Sequence, residues 1–307
     1  MADIAGGRPP GPIALLGLGL VGGSIVRALR GRGSAPASPI VAWTPSGRGP
    51  RAALAAGVVD GVADSVAEAV ADAAVIVLAG PPLATLELVE SKGGALLRAT
   101  ERGATVTDTA STKAAIVAAA DRAGLPFVGG HPMAGREASG FAAAEAALFE
   151  GRPWVVVPGA FARDEDVDRV ERLAGAVGAR PLRLSAAEHD AAVAAVSHLP
   201  LVAAVALVEA VAGADDWAAS RGLAAGGWSG MTRLAMGDPE MGAGILATNR
   251  EAVVARLRDY RAAIDRWIAV LEAGTTEPAN RSASPVHGDR LRARLDAARA
   301  ALQDADG

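Results

Sequence analysis

The chain has no cysteine among its 307 residues, which excludes disulfides, thiolate zinc sites, iron–sulfur clusters and a cysteine nucleophile together. Histidine is scarce. His131, His189, His198 and His287 are the four, so proton chemistry near neutral pH has few side chains to draw on. Lysine occurs only at Lys92 and Lys113; with so much alanine and glycine, that reads as coding bias and carries no functional weight. Thirty basic residues against thirty-four acidic give a net charge of −4, without the basic excess that nucleic acid or an anionic bilayer requires. The first residues lack an apolar targeting segment, and the greasiest stretch, residues 199–214, is interrupted by Glu209 and falls short of a bilayer span. The expectation is a cytoplasmic protein with no nucleic-acid or membrane partner, long enough for two domains.

What is present is an alternation. Short β-like runs, several of them apolar throughout, at residues 13–17, 40–43, 74–78, 105–108, 127–128 and 154–157 are separated by alanine-rich helical stretches, the pattern of a parallel sheet covered by helices. A last strand over 180–184 closes the series. From Ser185 the β signals stop, and Ser185 with Glu188 has the form of a capping box opening a helical half. Residues 274–288, rich in Thr, Pro, Ser and Asn, read as a linker before an amphipathic helix over 289–305.

Gly17, Gly19 and Gly22 form a G-x-G-x-x-G between the first strand and a helix over 24–30. Such glycines allow a tight turn and close approach of backbone to a pyrophosphate, with Leu20, Val21 and Gly22 opening the helix whose N-terminus faces the anion. The first half therefore reads as a dinucleotide-binding domain. A carboxylate about 20 residues on would hold the ribose diol of NAD, but no Asp or Glu occurs between Asp3 and Asp60. Thr44, Ser46, Arg48 and Arg51 follow the second strand instead, hydroxyls and guanidiniums suited to a 2′-phosphate. NADP is expected over NAD, which stays possible. The fold class is α/β: an N-terminal Rossmann-type domain over 1–184, an all-α C-terminal domain over 185–273, then the linker and terminal helix over 274–307. The helical half is poor in large side chains, so it is expected to pack against a second copy as a homodimer.

His131 follows the strand at 127–128 in a Gly/Pro-rich loop, Gly129-Gly-His-Pro-Met-Ala-Gly135, where a histidine is more often functional than packed. Ser111 lies in Asp108-Thr-Ala-Ser-Thr-Lys113, at a strand's carboxyl end, where ligand-facing groups gather; a helix N-cap is the plainer reading of it. These segments resemble the prephenate/arogenate dehydrogenases of tyrosine biosynthesis. So do Leu148-Phe-Glu-Gly-Arg-Pro-Trp154, Glu188-His-Asp190, Val196-Ser-His-Leu-Pro200 and Ala224-Ala-Gly-Gly-Trp-Ser-Gly-Met-Thr-Arg233 with Asp238-Pro239. The resemblance runs from about residue 12 to residue 270.

The resemblance implies an oxidative decarboxylation of a cyclohexadiene carrying a ring hydroxyl and, across the ring, a carboxylate. His131 would accept the hydroxyl proton, Ser111 would bond the same hydroxyl and orient His131, and Arg233 would pair with a substrate carboxylate. His198, before Leu199-Pro200, lines the pocket or merely packs there; Pro200 is expected to kink the helix. His189 reads as structural or solvated in the first turn of a capped helix, and His287, in the linker, as irrelevant. The sequence departs from many relatives in having Leu201 in place of a second histidine, and Gly230 and Gly242 in place of Asp and Trp. Arg136, where relatives often have a small hydroxyl residue, is the candidate to replace the missing polar contact. The resemblance implies prephenate as the substrate, and these departures leave arogenate and 4-amino-4-deoxyprephenate open as alternatives. Another β-hydroxyacid-type dehydrogenase would need a lysine base on the helical half, and no lysine follows Lys113. A non-catalytic NADP sensor is opposed by the joint presence of His131, Ser111 and Arg233. No metal is expected.

Overall fold

The computed structural model of the protein describes residues 11–31, 38–136, 138–273 and 285–305. It divides into two compact units, the first ending at Val253 and the second beginning at Val254. In the first unit eight strands form one sheet in the order β3-β2-β1-β4-β5-β6-β7-β8. They are β1 (Ile13–Leu16), β2 (Ile40–Trp43), β3 (Gly61–Val62), β4 (Val75–Leu78), β5 (Thr105–Asp108), β6 (Phe127–Pro132), β7 (Pro153–Pro158) and β8 (Arg180–Arg183). The connecting helices are α1 (Leu20–Gly31), α2 (Arg48–Ala55), α3 (Val66–Ala69), α4 (Pro82–Glu101), α5 (Ala114–Arg122) and α6 (Asp164–Ala176).

The central strands β1, β4 and β5 are buried along their whole length, as strands covered on both faces must be. Alternate residues of β1 feed two separate cores. Ile13 and Leu15 join Ile25, Val26 and Trp154 on one face, and Ala14 and Leu16 join Leu96, Ile116 and Phe127 on the other. The sheet order reverses direction between β1 and β4, and in such sheets the crevice beyond the carboxyl ends of the strands at that point takes the ligand.

Two features differ from the sequence expectation. β3 has only two residues, Gly61 and Val62, too few to leave an apolar run. The sheet is also mixed: β7 runs antiparallel to β6, pairing His131 with Val155 and Pro132 with Trp154, while β8 is parallel to β7. The cause lies in the connection. A parallel return needs a helical crossover, whereas between Pro132 and Pro153 the chain makes only a 3₁₀ turn, Phe141–Ala143, among its described residues. This connection lies against α1: a Cβ on Gly23 would stand 2.7 Å from the Ala144 Cβ, and the Glu145 N–H donates to the Ser24 hydroxyl at 2.9 Å.

Beyond β8 the chain is helical: α7 (Ala186–Val193), a π-helical turn Ala194–His198, α8 (Leu199–Ala212), α9 (Trp217–Ser220), α10 (Gly226–Thr232), a 3₁₀ turn Arg233–Met236, α11 (Pro239–Thr248) and α12 (Arg250–Ala273). The capping box is formed, with the Glu188 N–H donating to Ser185 Oγ (3.2 Å) and the Ser185 N–H to Glu188 Oε2 (2.8 Å). Pro200 does not break the helix. Lacking an N–H and crowding the turn before it, it sits in the first turn of α8, and the strain is taken up by the wider π turn. The helical run Ala186–Ala212 is therefore 27 residues long and apolar enough to cross a membrane by length and composition, longer than the sequence suggested. It carries the buried polar pair His189 and Asp190.

In the second unit, α13 (Pro285–Ala305) begins at Pro285 rather than Asp289. Its Arg294 guanidinium stacks 4.1 Å from the Trp267 ring of α12. Residues 274–284 of the expected linker, and the side chain of His287, lie outside the described residues.

β5 and β6 meet too closely at Gly130 for any side chain. A Cβ there would stand 2.5 Å from the Asp108 carbonyl oxygen and 2.9 Å from Trp154 Nε1. Gly130→Ala is expected to cost about 1–3 kcal/mol, the usual range for overpacking a rigid site, read as a lower urea midpoint at unchanged m-value.

Candidate active site

The glycine loop leaves β1 at Gly17, whose φ of 109° suits glycine alone. A Cβ on Gly22 would fall 2.5 Å from the Gly17 carbonyl oxygen, while one on Gly19 would meet nothing within 4 Å. The space beside Gly19 is thus open, in front of the first-turn N–H groups of α1 at Leu20, Val21 and Gly22, the cradle a pyrophosphate requires. The turn after β2 comes close to it. A Cβ on Gly49 would stand 2.9 Å from the Leu18 carbonyl oxygen. In that turn the Gly47 N–H donates to Thr44 Oγ1 (3.1 Å), Arg51 Nη2 donates to the Ser46 carbonyl (2.8 Å), and Arg48 is exposed. The first carboxylate after the acid-free stretch, Asp60, is engaged elsewhere: it accepts the Ile40 N–H at 2.7 Å and pairs with Arg30. Ile40 begins β2, so Asp60 sits at the opposite end of the sheet from the glycine loop.

At the carboxyl ends of β5 and β6 lies a buried polar cluster. His131 Nδ1 is 2.8 Å from His189 Nε2, and His189 Nδ1 is 2.7 Å from Asp190 Oδ1. The Asp190 carboxylate also accepts the Lys113 N–H at Oδ1 (2.8 Å) and the Ala114 N–H at Oδ2 (2.9 Å). A carboxylate only accepts, so His189 carries its proton on Nδ1, and neutral His189 accepts at Nε2. His131 then donates from Nδ1 and keeps its Nε2 lone pair for a proton. His189 is therefore neither solvated nor merely structural, as its place in the first turn of α7 had suggested. It is 1% exposed and stands between His131 and Asp190 in a chain of side-chain hydrogen bonds.

Asp108 accepts the Gly130 N–H at Oδ1 (2.9 Å) and the Ala110 N–H at Oδ2 (3.0 Å), and pairs with the wholly buried Lys113 ammonium. Burial lowers the Lys113 pKa, and Asp108 opposes that shift. Desolvation, followed by the fields of His189, Lys113 and His198, holds His131 well below 6.5. Burial alone would raise Asp190, but the bonds from His189, Ala114 and Lys113 outweigh it and keep the carboxyl ionised. The cluster can accept a proton at His131 and spread the resulting charge toward Asp190.

The remaining candidates divide. Ser111 is not the cap of α5: that helix begins after Lys113, without a side-chain cap from its own loop. Its hydroxyl makes no hydrogen bond among the described residues. His198 is buried, with Nδ1 3.1 Å from Asn249 Nδ2; sequence reasoning did not single out Asn249. Arg233 stands exposed on the 3₁₀ turn that packs on α8, and the hydrogen bonds described for the His131 cluster do not include it. Arg136, the cation the sequence suggested for the substrate, pairs on the surface with Glu145 (2.8 Å) and donates to the Ala143 carbonyl (2.6 Å).

Residues 27–182 match the prephenate dehydrogenase nucleotide-binding domain and residues 185–282 the prephenate dehydrogenase dimerization domain. The chain belongs to the prephenate dehydrogenase family. It is 34% identical over 270 residues to prephenate dehydrogenase of Bacillus subtilis, covering 86% of this chain and 71% of the relative. It is 33% identical over 263 residues to that of Lactococcus lactis, covering 82% and 69%. Among solved structures, Synechocystis arogenate dehydrogenase is 28% identical, with a TM-score of 0.73 over 95% of this chain and 99% of that one. Prephenate dehydrogenase from Aquifex aeolicus, in complex with hydroxyphenyl propionate and NAD+, shares the fold at a TM-score of 0.80 and 24% identity, over 95% and 98%. As a family member the chain is an oxidoreductase with a Rossmann-like nucleotide-binding domain.

The histidines make stability depend on pH. Burial, opposed by Asp190 and reinforced by His189, takes His198 to about 4, and His131 is lowered as well. Both bind protons less readily folded than unfolded, so their contribution is complete above pH 6.5 and is lost as pH falls from there toward 4. Urea unfolding should show stability falling through this window by up to about 1.4 kcal/mol per pH unit for each histidine. A flat profile between pH 6.5 and 4 contradicts the assignment.

Proposed function

We propose that this chain catalyses the oxidative decarboxylation of prephenate to 4-hydroxyphenylpyruvate, with NADP as the hydride acceptor. The observation that carries the reading is the relay His131–His189–Asp190 at the carboxyl edge of a sheet whose first turn is a dinucleotide cradle. Gly17, Gly19 and Gly22 with the Leu20 and Val21 N–H groups would hold the pyrophosphate, and Thr44, Ser46, Arg48 and Arg51 the adenosine 2′-phosphate. The bound nicotinamide supplies the hydride acceptor. His131 Nε2 takes the proton of the ring hydroxyl as the hydride leaves the same carbon. Its charge is stabilised through His189 by Asp190, as a general base oriented by a carboxylate requires. Ser111 hydrogen-bonds that hydroxyl, Arg233 pairs with a substrate carboxylate, and His198 lines the pocket. Carbon dioxide then departs from the ring carbon opposite, leaving its bonding electrons to make the ring aromatic, so the second step is driven by the product.

The engagement of Asp60 with Arg30 and Ile40 supports the NADP preference, since the first carboxylate after the acid-free stretch is drawn away from the β2–α2 turn. Leu201 in place of a second histidine leaves arogenate as a second reading, with the 4-amino analogue of prephenate behind it. The domain division at residue 184, a homodimer and a cytoplasmic location complete the proposal. The homodimer is supported by apolar side chains left uncovered in the helical half, among them Leu223 and Met236 at 86% and 83% exposure. A monomeric mass by light scattering at micromolar concentration would oppose it.

Purified protein with NADP or NAD is assayed against prephenate, arogenate and a 3-hydroxy acid, following nicotinamide reduction. Prephenate with NADP is expected to give the highest kcat/KM, and no reduction with any substrate would favour a sensor. His131→Asn should lower kcat by about 10²–10⁴-fold while the Kd for NADP, read by fluorescence, stays within twofold. A fully active His131→Asn variant overturns the mechanism. Arg48→Ala should raise KM for NADP by roughly tenfold, the loss of one charge-assisted phosphate contact, and leave NAD almost unaffected.

A further inference from the structure

His198 is 1% exposed, and its Nε2 has no hydrogen-bond partner among the described residues. A buried polar atom left alone costs about 1–3 kcal/mol, so such a group in a ligand site points to a partner that arrives with the ligand. Which kind of partner follows from its other nitrogen. Asn249 Nδ2 lies 2.8 Å from the Asp190 backbone carbonyl oxygen and 3.1 Å from His198 Nδ1. A carbonyl oxygen only accepts, so the Asn249 atom facing it is the amide nitrogen, and the second N–H of that nitrogen goes to His198. His198 Nδ1 therefore accepts, and the single ring proton sits on Nε2.

We propose that Asn249 is a positioning residue that holds His198 as an Nε2–H donor to an oxygen of the substrate's side chain, a carboxylate or carbonyl. The inference rests on the dehydrogenase reading above, and it fills the place that Leu201 leaves without a second histidine. A capping role does not account for Asn249. It is the non-helical joint between α11 and α12, at φ −125° and ψ 33°, yet its amide serves groups 59 and 51 residues away. The joint is itself fastened to the site: Thr248 donates to the Gly244 carbonyl and its oxygen lies 2.7 Å from Thr112 Oγ1, in the loop before α5. The π turn ending at His198 is the kind of helix irregularity that recurs at functional sites. A protonated His198 would bring two N–H donors face to face with Asn249, so the contact offered is a neutral hydrogen bond rather than an ion pair.

The test uses the full-length protein labelled with ¹⁵N-histidine, in which four rings are few enough to assign by removing His198 alone. Wild type should show His198 with the proton on Nε2, and saturation with 4-hydroxyphenylpyruvate should shift that Nε2–H resonance. Asn249→Leu should mix the tautomers and raise KM for the substrate at least tenfold, with kcat within threefold and the Kd for NADP unchanged. His198→Leu should raise KM similarly, and His198→Gln, which keeps a donor, should recover most of that loss. An Nδ1–H tautomer in wild type, a resonance unmoved by the keto acid, or equal KM values for His198→Gln and His198→Leu overturns the proposal. A resonance that is Nε2–H but unmoved means that an ordered water is the partner. If Asn249→Leu does not fold, the wild-type tautomer and the two His198 variants still decide. Failure of the dehydrogenase reading shows separately, as no nicotinamide reduction with any substrate by wild type.

Discussion

The carboxylate of Asp190 is the joint on which the site depends. It takes the first free N–H groups of α5, at Lys113 and Ala114, groups that a helix cannot satisfy from within. The cap of α5 is thus supplied from a different element 76 residues away, where a Ser, Thr or Asp just ahead of the helix would ordinarily serve. The anion sits at the positive end of the helix dipole. The same carboxylate sets the tautomer of His189 and through it that of His131, while its backbone carbonyl holds Asn249. One residue therefore ties the sheet side of the site, the first helix after the sheet and the α11–α12 joint to His131.

A second constraint works beside it. Lys113 and Asp108 are both fully buried as an ion pair, an arrangement whose desolvation is repaid only when every remaining donor and acceptor is used. Asp108 uses its other capacity on the Gly130 and Ala110 N–H groups, which locks the end of β5 to the strand bearing His131. Burial above all, and then the fields of His189 and of Lys113, disfavour a positive charge on His131, so the imidazole waits unprotonated at neutral pH. Lysine is rare in this chain, and the one in the site has a defined electrostatic task.

Much of this was legible in the sequence. β1 and β4 announced themselves as unbroken apolar runs, and residues 17–22 placed the cradle, because both patterns follow from local backbone physics. His131 stood out by its Gly/Pro-rich surroundings, although those residues proved to extend β6 to Pro132 and to hold His131 within the strand, paired with Val155, instead of in a loop after it. What escaped depended on distance in sequence. His189 and Asp190 looked like a solvated first turn, since nothing local says that α7 presses this turn onto the start of α5. Asn249 had no signal beyond a plausible helix end. The reversal at β7 was hidden because an apolar strand reads the same in either direction, and only the missing crossover helix before it could have betrayed it.

The π turn at Ala194–His198 also stores an angle. An α-helix advances about 100° per residue, and a π turn accommodates one residue more than the α register would. Without that extra residue α8 would leave the site rotated by more than a quarter turn, carrying its uncovered apolar side to a different direction in space while His198 lost its place beside Asn249. The aim of a buried imidazole and the bearing of an outward apolar face are therefore one geometric quantity in this chain, and a single-residue insertion or deletion in this turn alters both together.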